Sequence, residues 1–345
     1  MRIEFEEVVA TLAQILLEKG FEADDAALSA RLFAEASRDG VASHGLNRFA
    51  QYADAIDRRE IDPAARPQRV ESAGALERWD GRRGPGNLNA WRSMHRAMQL
   101  ADSHGIGSVA LSRTNHWMRG GAYGRQAAEA GYIGICWTNT IGNLPPWGGI
   151  EPKLGNNPMI LAVPFAGGPI VHDFAMSQYS YGALANFRRA DRPLPFPGGF
   201  DAGGRLTTDP AEIERTQRPL PIGMWKGSGL ALMLDLIASL LSGGDSTSRI
   251  SRRDTEREVS QLFIAIRIPQ GGETGAAWAQ TLVKEAIDDL HGATPVSPGD
   301  PVRYPGERVI ESRRDAELHG VEVDEAIWKA IVATKGGTWW KRGME

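Results

Sequence analysis

The sequence is poor in cysteine, with Cys136 alone among 345 residues. An internal disulfide is therefore excluded, and so is a metal site built from several cysteines. Cys136 lies within "IGICWTN", which predicts a small, buried apolar residue. Low cysteine use fits a compartment where thiols stay reduced, so we expect a cytoplasmic location.

Long apolar runs and an excess of positive charge are also lacking. The longest run, residues 230–241, is interrupted by Asp235 and Ser239, so it predicts a buried helix rather than a membrane span. The N-terminus carries acidic residues among apolar ones, unlike a signal peptide. Lys and Arg total 39 against 43 Asp and Glu, a net charge of −4, which argues against non-specific binding of nucleic acid.

Several familiar enzyme motifs are missing. "GRRGPGNLNA" is rich in glycine but does not fit the GxGxxG pattern, and neither a P-loop nor a GxSxG motif occurs. The seven histidines are scattered without the spacing of zinc ligands, so we predict no metal site.

Helical patterns lie at both ends of the chain. Apolar spacing predicts a first helix ended by Gly20, a second with Asp24 or Asp25 as its N-cap and Gly40 as its stop, and a third that ends before Pro63. "IDPAARPQRVESAG" then reads as a connector, and helices return after "PGER". The C-terminal "TWWKRGME" is interpreted as either an interface or a loose tail.

The middle of the chain alternates strands with helices. "IGSVALSR", "YIGICWTNT" and "SQLFIAIRIP" predict strands, and "MILAVPF" with "PIVHDFAM" predicts a strand pair joined by "AGG". Residues 191–222 are rich in Pro and Gly and predict a long, functional loop. We therefore expect an α/β body over 71–307 and a helical subdomain built from 1–70 and 308–345.

The segment "SHGLNR" offers a first candidate site. If a helix begins after Ser43, then His44 and Arg48 lie one turn apart on the same face. Arg can bind a carboxylate in bidentate fashion, and His can protonate the oxygen of an adjacent carbonyl, as a 2-oxo acid requires. The alternative is a Ser43 cap followed by exposed side chains, and this segment alone favours that alternative.

Three further segments are candidates for binding. In "TNHWMRGGAYGRQA", His116 and Arg119 precede two glycines that allow close approach of a ligand; a glycine turn is an equal alternative. In "GMWKGSGLAL", Lys226 stands at a helix start, where anions bind; a turn capped by Ser228 is the alternative. In "VHDFAM", the carboxylate of Asp173 needs a partner, which is a histidine, a ribose or a helix N-terminus.

Seven segments together resemble the malate/L-lactate dehydrogenase-like family of NAD(P)H-dependent oxidoreductases, which does not use a Rossmann fold. The segments are "SHGLNRF", "HGIGSVAL", "NHWMRGGAYG", "GYIGICWTN", "PPWG", "WKGSG" and "QLFIAI", and the resemblance covers nearly the whole chain. It implies a mixed-sheet α/β body with a helical subdomain, a homodimer, and a soluble reductase without a nucleic-acid or membrane partner.

The resemblance also implies roles for individual residues. His44 is expected to be the proton donor, with Ser43 orienting it, and Arg48, His116 and Arg119 are expected to bind the substrate. The cofactor, NADH or NADPH, is expected at the following positions: Pro169, Ile170, Val171, His172, Asp173, Phe174, Ala175, Trp225, Lys226, Gly306, Glu307 and Arg308. "PGER" replaces the family's "PGHE", and its arginine could favour a 2′-phosphate.

The residues and the resemblance together predict a reductase of a small polyhydroxylated dioxo acid, with hydride delivered to C2. Malate, lactate, ureidoglycolate or a cyclic imino acid are alternative substrates within the same family. A metabolite-binding protein without turnover is a third hypothesis, and the presence of His44 and Lys226 counts against it.

Overall fold

The N-terminal segment of the computed structural model is helical, as predicted. The structure describes residues 1–269, 271 and 275–334, so the tail "TWWKRGME" lies outside the described residues. Its first elements are β1 (Arg2–Ile3), α1 (Phe5–Glu18), α2 (Ala23–Arg38), a 3₁₀ turn (Ala42–His44) and α3 (Leu46–Asp57).

The N-cap of α2 was predicted wrongly. Glu22 occupies that position, and Asp25 lies inside the first turn of the helix. The Asp25 carboxylate forms ion pairs with Arg92 and, at 3.5 Å, with Arg66. Asp25 therefore pairs with distant arginines, although local sequence propensity favours it as the N-cap of α2.

The middle of the chain supplies a seven-stranded sheet. Its strands are β2 (Gln68–Ala73), β3 (Leu76–Asp80), β4 (Ile106–Thr114), β5 (Tyr132–Thr138), β6 (Met159–Val163), β7 (Ile170–Phe174) and β10 (Val259–Arg267). Their order is β2-β3-β4-β10-β5-β6-β7, in which β3 and β4 pair in parallel and the other neighbours are antiparallel. This mixed sheet confirms the predicted fold class; β2, however, lies within the predicted connector.

Helices cover both faces of this sheet. They are α4 (Gly86–His104) and α5 (Gly121–Glu129) on one face and α8 (Trp225–Ser242) on the other. The remaining helices of this part of the chain are α6 (Tyr181–Arg189), α7 (Pro210–Thr216), α9 (Thr247–Ile250) and α10 (Ala276–His291). Phe263 of β10 packs in one cluster with α4 and α5, whereas its neighbour Leu262 packs in another with α8. The alternation of side chains along a strand explains this division. Cys136 is fully buried in the first cluster, as predicted.

The two ends of the chain pack against each other. The C-terminal elements are α11 (Glu307–His319), β11 (Val321–Glu322) and α12 (Glu325–Ala333), and β1 pairs with β11 in antiparallel orientation. Apolar residues of α1, α2, α3 and α12 share one core, which also includes Leu88 and Met118 of the α/β body. The terminal helices are therefore continuous with that body in packing.

The prediction that α8 is a buried helix was only half right. Ala231, Leu234 and Ala238 face the sheet and are buried. On the other side, Met233 is 51% exposed and Leu240 is 75% exposed. Apolar residues fill all but two positions of residues 230–241, so the run shows little amphipathic period and the sequence could not distinguish the two faces. Within the described residues, no helix has the length and hydropathy needed to cross a membrane.

Residues 191–222, predicted as a loop, contain secondary structure. Strands β8 (Gly199–Phe200) and β9 (Leu206–Thr207) form a short hairpin, and α7 follows. Asp209 caps α7 by accepting hydrogen bonds from the N–H groups of Ala211 at 2.9 Å and Glu212 at 3.3 Å. The "DPAE" sequence, with an acidic cap before a proline, is a helix-start signal that the loop interpretation overlooked.

A buried carboxylate links α4 to the sheet edge. Glu77 of β3 has a side chain only 1% exposed, and it accepts hydrogen bonds from Arg96 of α4 (2.7 Å), Arg69 of β2 (3.2 Å) and Trp79 (2.9 Å). The hydrogen bonds from Arg96, ahead of those from Trp79 and Arg69, lower the pKa of Glu77 from 4.5 to about 2. The ionised carboxylate is therefore favoured in the folded state.

We expect Glu77→Gln to lower the free energy of unfolding by about 2–3 kcal/mol at pH 7, because two guanidinium groups lose their counter-charge. The lowered pKa means that this contribution is complete above pH 4.5 and disappears as the pH falls towards about 2. Urea denaturation across that range measures it. Glu71→Gln, on the same hairpin but 58% exposed, should change stability by less than about 0.5 kcal/mol. Equal losses in both variants, or a Glu77 effect independent of pH, would contradict this account.

Candidate active site

A cavity of about 1100 Å³ brings together residues from distant parts of the chain. Its walls come from the 3₁₀ turn and α3, the loop between β4 and α5, the edge strand β7, and α11. Twelve of the predicted site residues line it: Ser43, His44, Arg48, His116, Arg119, Pro169, Val171, His172, Asp173, Phe174, Ala175 and Gly306.

His44 and Arg48 do not share a helix, contrary to the prediction. His44 ends the 3₁₀ turn, and α3 begins only at Leu46. Between them, a Cβ on Gly45 would lie 2.2 Å from the Ser37 hydroxyl oxygen and 2.9 Å from the Phe33 carbonyl oxygen. The chain must therefore pass α2 at a glycine, and both functional side chains still reach the cavity.

The His44 ring is held by the residue before it. Ser43 Oγ lies 3.1 Å from His44 Nδ1, so the other ring nitrogen, Nε2, makes no contact with Ser43. Burial lowers the pKa of His44 below its usual 6.5, and the charge of Asp173 partly opposes this shift. Arg48 and Arg119 add to the lowering. His44 therefore releases a proton readily.

His116 is a neutral hydrogen-bond donor. Its Nδ1 accepts the backbone N–H of Met118 at 2.9 Å, which leaves the proton of the neutral ring on Nε2. Burial holds the pKa of His116 well below 6.5, with smaller contributions from Arg48 and His44. The rings of His44 and His116 stack with centroids 5.8 Å apart. Two imidazoles with different environments thus face one space.

Arg48 and Arg119 differ in whether the guanidinium group already has a carboxylate partner. Arg48 lines the cavity and forms no ion pair with any residue that the structure describes. Arg119 instead forms an ion pair with the fully buried carboxylate of Asp39, which Arg313 of α11 also contacts at 2.6 Å. The free guanidinium of Arg48 is the better candidate to bind a substrate carboxylate.

Asp173 is exposed although it lies in a strand of mostly apolar residues, and it has one hydrogen-bond partner. Its Oδ2 accepts the N–H of Gly121, the first residue of α5, at 2.8 Å, so the helix N-terminus of the three alternatives is observed. A Cβ at Gly121 would meet that same oxygen at 2.8 Å, and one at Gly120 would meet Ile160 at 2.4 Å. Both glycines therefore make room for the neighbouring strands β6 and β7.

Five predicted cofactor residues lie outside this cavity. Trp225 and Lys226 are exposed at the start of α8, and Ile170 is on β7 without lining the cavity. Glu307 accepts hydrogen bonds from the Tyr304 N–H and pairs with His291, each at 3.1 Å. Arg308 is 73% exposed beside a separate small cleft. Their cofactor roles stay predictions.

Other residues lining the cavity were not predicted. Asn143 and Asn156 bind each other, with the Asn156 N–H donating to the Asn143 side chain at 2.8 Å, and Tyr181 donates to the Asn143 carbonyl at 3.1 Å. Glu256 and Arg313 also line it. The paired asparagines flanking "LPPWGGIEPKLG" were the only sequence signal for this wall; nothing local distinguishes Glu256 from the other acids of its loop.

Comparisons with known proteins agree with the fold. The sequence profile of a family described as malate/L-lactate dehydrogenase matches residues 3–332. The chain belongs to this family. A 2,3-diketo-L-gulonate reductase from Salmonella paratyphi A is 45% identical over 336 residues, covering 96% of this chain and 100% of that protein.

Solved structures are also similar over their whole length. Sulfolactate dehydrogenase from Methanocaldococcus jannaschii has a TM-score of 0.87 at 28% identity, covering 97% of this chain and 96% of that one. Malate dehydrogenase from Entamoeba histolytica has a TM-score of 0.90 at 23% identity, covering 97% of each chain, and shows the fold alone. The predicted resemblance to the malate/L-lactate dehydrogenase family is confirmed, and the chain is an oxidoreductase.

The cavity fits the NAD(H)-type cofactor of a dehydrogenase. Its volume exceeds what one small substrate needs. Gly306, with φ +94°, lies directly before α11. A Cβ at this position would be 3.2 Å from the backbone nitrogen of Val171, so the start of α11 packs closely against β7. Arg119 Nε is buried without a hydrogen-bond partner in the described structure, and Arg314 also faces the cavity. These donors suit the phosphates of a dinucleotide.

The pH dependence of reduction should follow His44. Because the proton donor must be charged and its pKa is lowered, kcat/KM for a 2-oxo acid should rise as the pH falls, with an inflection below 6.5. Asp173→Asn removes the charge that raises this pKa and keeps an oxygen for the Gly121 N–H, so the inflection should move lower still. Asp288→Asn, on the exposed face of α10, should leave it unchanged. A shift upward in Asp173→Asn would refute the assignment.

Proposed function

We propose that this enzyme reduces 2,3-diketo-L-gulonate to 3-dehydro-L-gulonate, with His44 as the proton donor. The observation that carries the proposal is the cavity wall where His44, neutral His116 and unpaired Arg48 meet. The 45% identity with a full-length 2,3-diketo-L-gulonate reductase supports this choice of substrate. Polar groups of Asn143, Asn156 and Glu256 suit a substrate with several hydroxyls.

Each residue has a distinct task in the proposed reaction. Arg48 binds the substrate carboxylate, and this places the adjacent C2 oxygen against the two imidazoles. His44 gives its Nε2 proton to that oxygen as the negative charge develops, while Ser43 keeps the ring oriented through Nδ1. His116 donates a hydrogen bond from Nε2 without becoming charged. The nicotinamide cofactor, when bound, supplies the hydride for C2.

We also propose NADH as the preferred cofactor. Arg308, the residue that suggested a 2′-phosphate, is 73% exposed and lies outside the cavity. A cytoplasmic location remains part of the proposal, as does the division into a helical subdomain (1–70 and 308–345) and an α/β body (71–307). The shared packing of both chain ends supports that division.

The His44 assignment predicts a separation between turnover and cofactor binding. His44→Ala should lower kcat for 2,3-diketo-L-gulonate by about 10²–10⁴-fold, since general acid catalysis contributes that much. NADH affinity, measured by fluorescence titration, should stay within about twofold because His44 acts on the substrate oxygen. His95→Ala, an exposed histidine on α4, is the matched control and should keep full activity.

A substrate panel tests the wider proposal. The wild-type protein should consume NADH faster with 2,3-diketo-L-gulonate than with oxaloacetate, pyruvate, sulfopyruvate or a cyclic imino acid, and faster than it consumes NADPH. Normal turnover by His44→Ala would contradict the mechanism. A preference for another panel member would contradict the substrate.

We propose in addition that the enzyme is a homodimer that buries the outer face of α8. Trp225 (65% exposed), Met233 (51%) and Leu240 (75%) place apolar side chains together on that face. A patch of this kind on an isolated chain is unusual unless a partner covers it. A second copy of the chain is the partner that the family resemblance implies.

Leu240→Glu should weaken the dimer at least about tenfold, because it places a charge in an apolar interface. Sedimentation equilibrium measures the dissociation constant. Leu318→Glu, at an apolar position on α11 that is 78% exposed, provides the control and should leave association unchanged. A wild-type protein that sediments as a monomer, or an unchanged constant in Leu240→Glu, would count against this interface.

A further inference from the structure

Glu256 is a carboxylate on the cavity wall that takes no part in the proposed proton and hydride transfer. It shares the cavity with His44, Arg48 and His116. Its Oε2 accepts the N–H of Ile141 at 2.9 Å, and Oε1 accepts no hydrogen bond from the described residues. Glu256 is only partly buried and lines the cavity, so the free oxygen is available to a ligand there.

The surroundings hold Glu256 in place. In the same loop, Ser251 accepts the Gly142 N–H at 2.8 Å, and Arg253 pairs with Glu258 at 3.2 Å. The contacts to Ile141 and Gly142 connect this loop to the segment that carries Thr140 and Asn143 on the cavity wall. Glu256 is thus part of a rigid wall.

Two opposite charges, Glu256 and Arg48, line this cavity before a substrate binds. Burial raises the pKa of Glu256, and Arg48 is the nearby charge that opposes this shift. Three other arginines of the cavity already have carboxylate partners: Arg119 and Arg313 pair with Asp39, and Arg125 pairs with Glu35. Arg314, which has no ion pair among the described residues, lies on α11 and not on the wall that carries Glu256. One substrate carboxylate at Arg48 therefore leaves Glu256 facing the rest of the substrate.

We propose that Glu256 selects polyhydroxylated 2-oxo acids with a single negative charge and rejects 2-oxo acids with a second acidic group. A substrate hydroxyl donates to Oε1, and a charge-assisted hydrogen bond of this kind is stronger than one between neutral groups. A second carboxylate or a sulfonate meets a like charge that no free cation of this wall offsets. This inference rests on the proposed function and names what determines its substrate class.

Glu256→Gln separates the charge from the shape, because its amide oxygen can still accept the Ile141 N–H. We expect kcat/KM for 2,3-diketo-L-gulonate to fall about tenfold, mainly through KM, and kcat/KM for oxaloacetate to rise about tenfold. Glu256→Asp keeps the charge and should retain the wild-type order of preference. Asp254→Asn, two residues away, exposed and outside the cavity, should leave both values unchanged.

Binding distinguishes failure of this inference from failure of the proposed function. With NADH present, calorimetry should show that the wild-type protein binds L-gulonate more tightly than L-malate, and that Glu256→Gln reverses or removes this preference. This result supports the role of Glu256 even if 2,3-diketo-L-gulonate is not turned over, which would contradict only the proposed function. Unchanged preferences in Glu256→Gln, in binding and in kcat/KM, overturn the inference while leaving the reductase reaction intact.

Discussion

The buried carboxylate of Asp39 connects the parts of the chain that form the cavity. It lies at the C-terminal end of α2, is fully buried, and is contacted by Arg119 from the loop after β4 and by Arg313 from α11. A buried carboxylate without such partners would be strongly destabilising. The ion pairs therefore fix the positions of these three segments relative to one another. His44 follows Asp39 by five residues, and its position therefore depends on this contact.

The seven-stranded sheet positions the cavity wall formed by the loop after β4 and by β7. In the sheet, β10 lies between β4 and β5, and β7 is an edge strand. The loop that follows β4, strand β7 and helix α11 all contribute residues to the cavity wall. The contact between Asp173 of β7 and the first N–H of α5 joins strand and loop directly beside His44. The acid–base group is thus supported by the helical ends on one side and by the sheet on the other.

Much of this could be predicted from sequence, where a signal is local or carried by family resemblance. The helices at both ends, the strands, and the grouping of His44, Arg48 and His116 belong to that part. The helix-start signal "DPAE" was local and was overlooked, whereas the failures at the site depended on contacts between distant residues. Packing of Gly45 against α2 interrupts the expected helix, and the partner of Arg119 lies 80 residues away in the sequence. The sequence likewise does not show that one carboxylate oxygen of Glu256 is free, because this depends on the folded cavity.

The central claim is that hydride reaches C2 of a 2-oxo acid whose carboxylate is bound in this cavity. Reduction of 2,3-diketo-L-gulonate with NADH that carries deuterium at both C4 positions of the nicotinamide tests it most directly, with the product followed by NMR and mass spectrometry. The account predicts one deuterium, at C2 of 3-dehydro-L-gulonate. A product without deuterium, or with deuterium at C3, would contradict it.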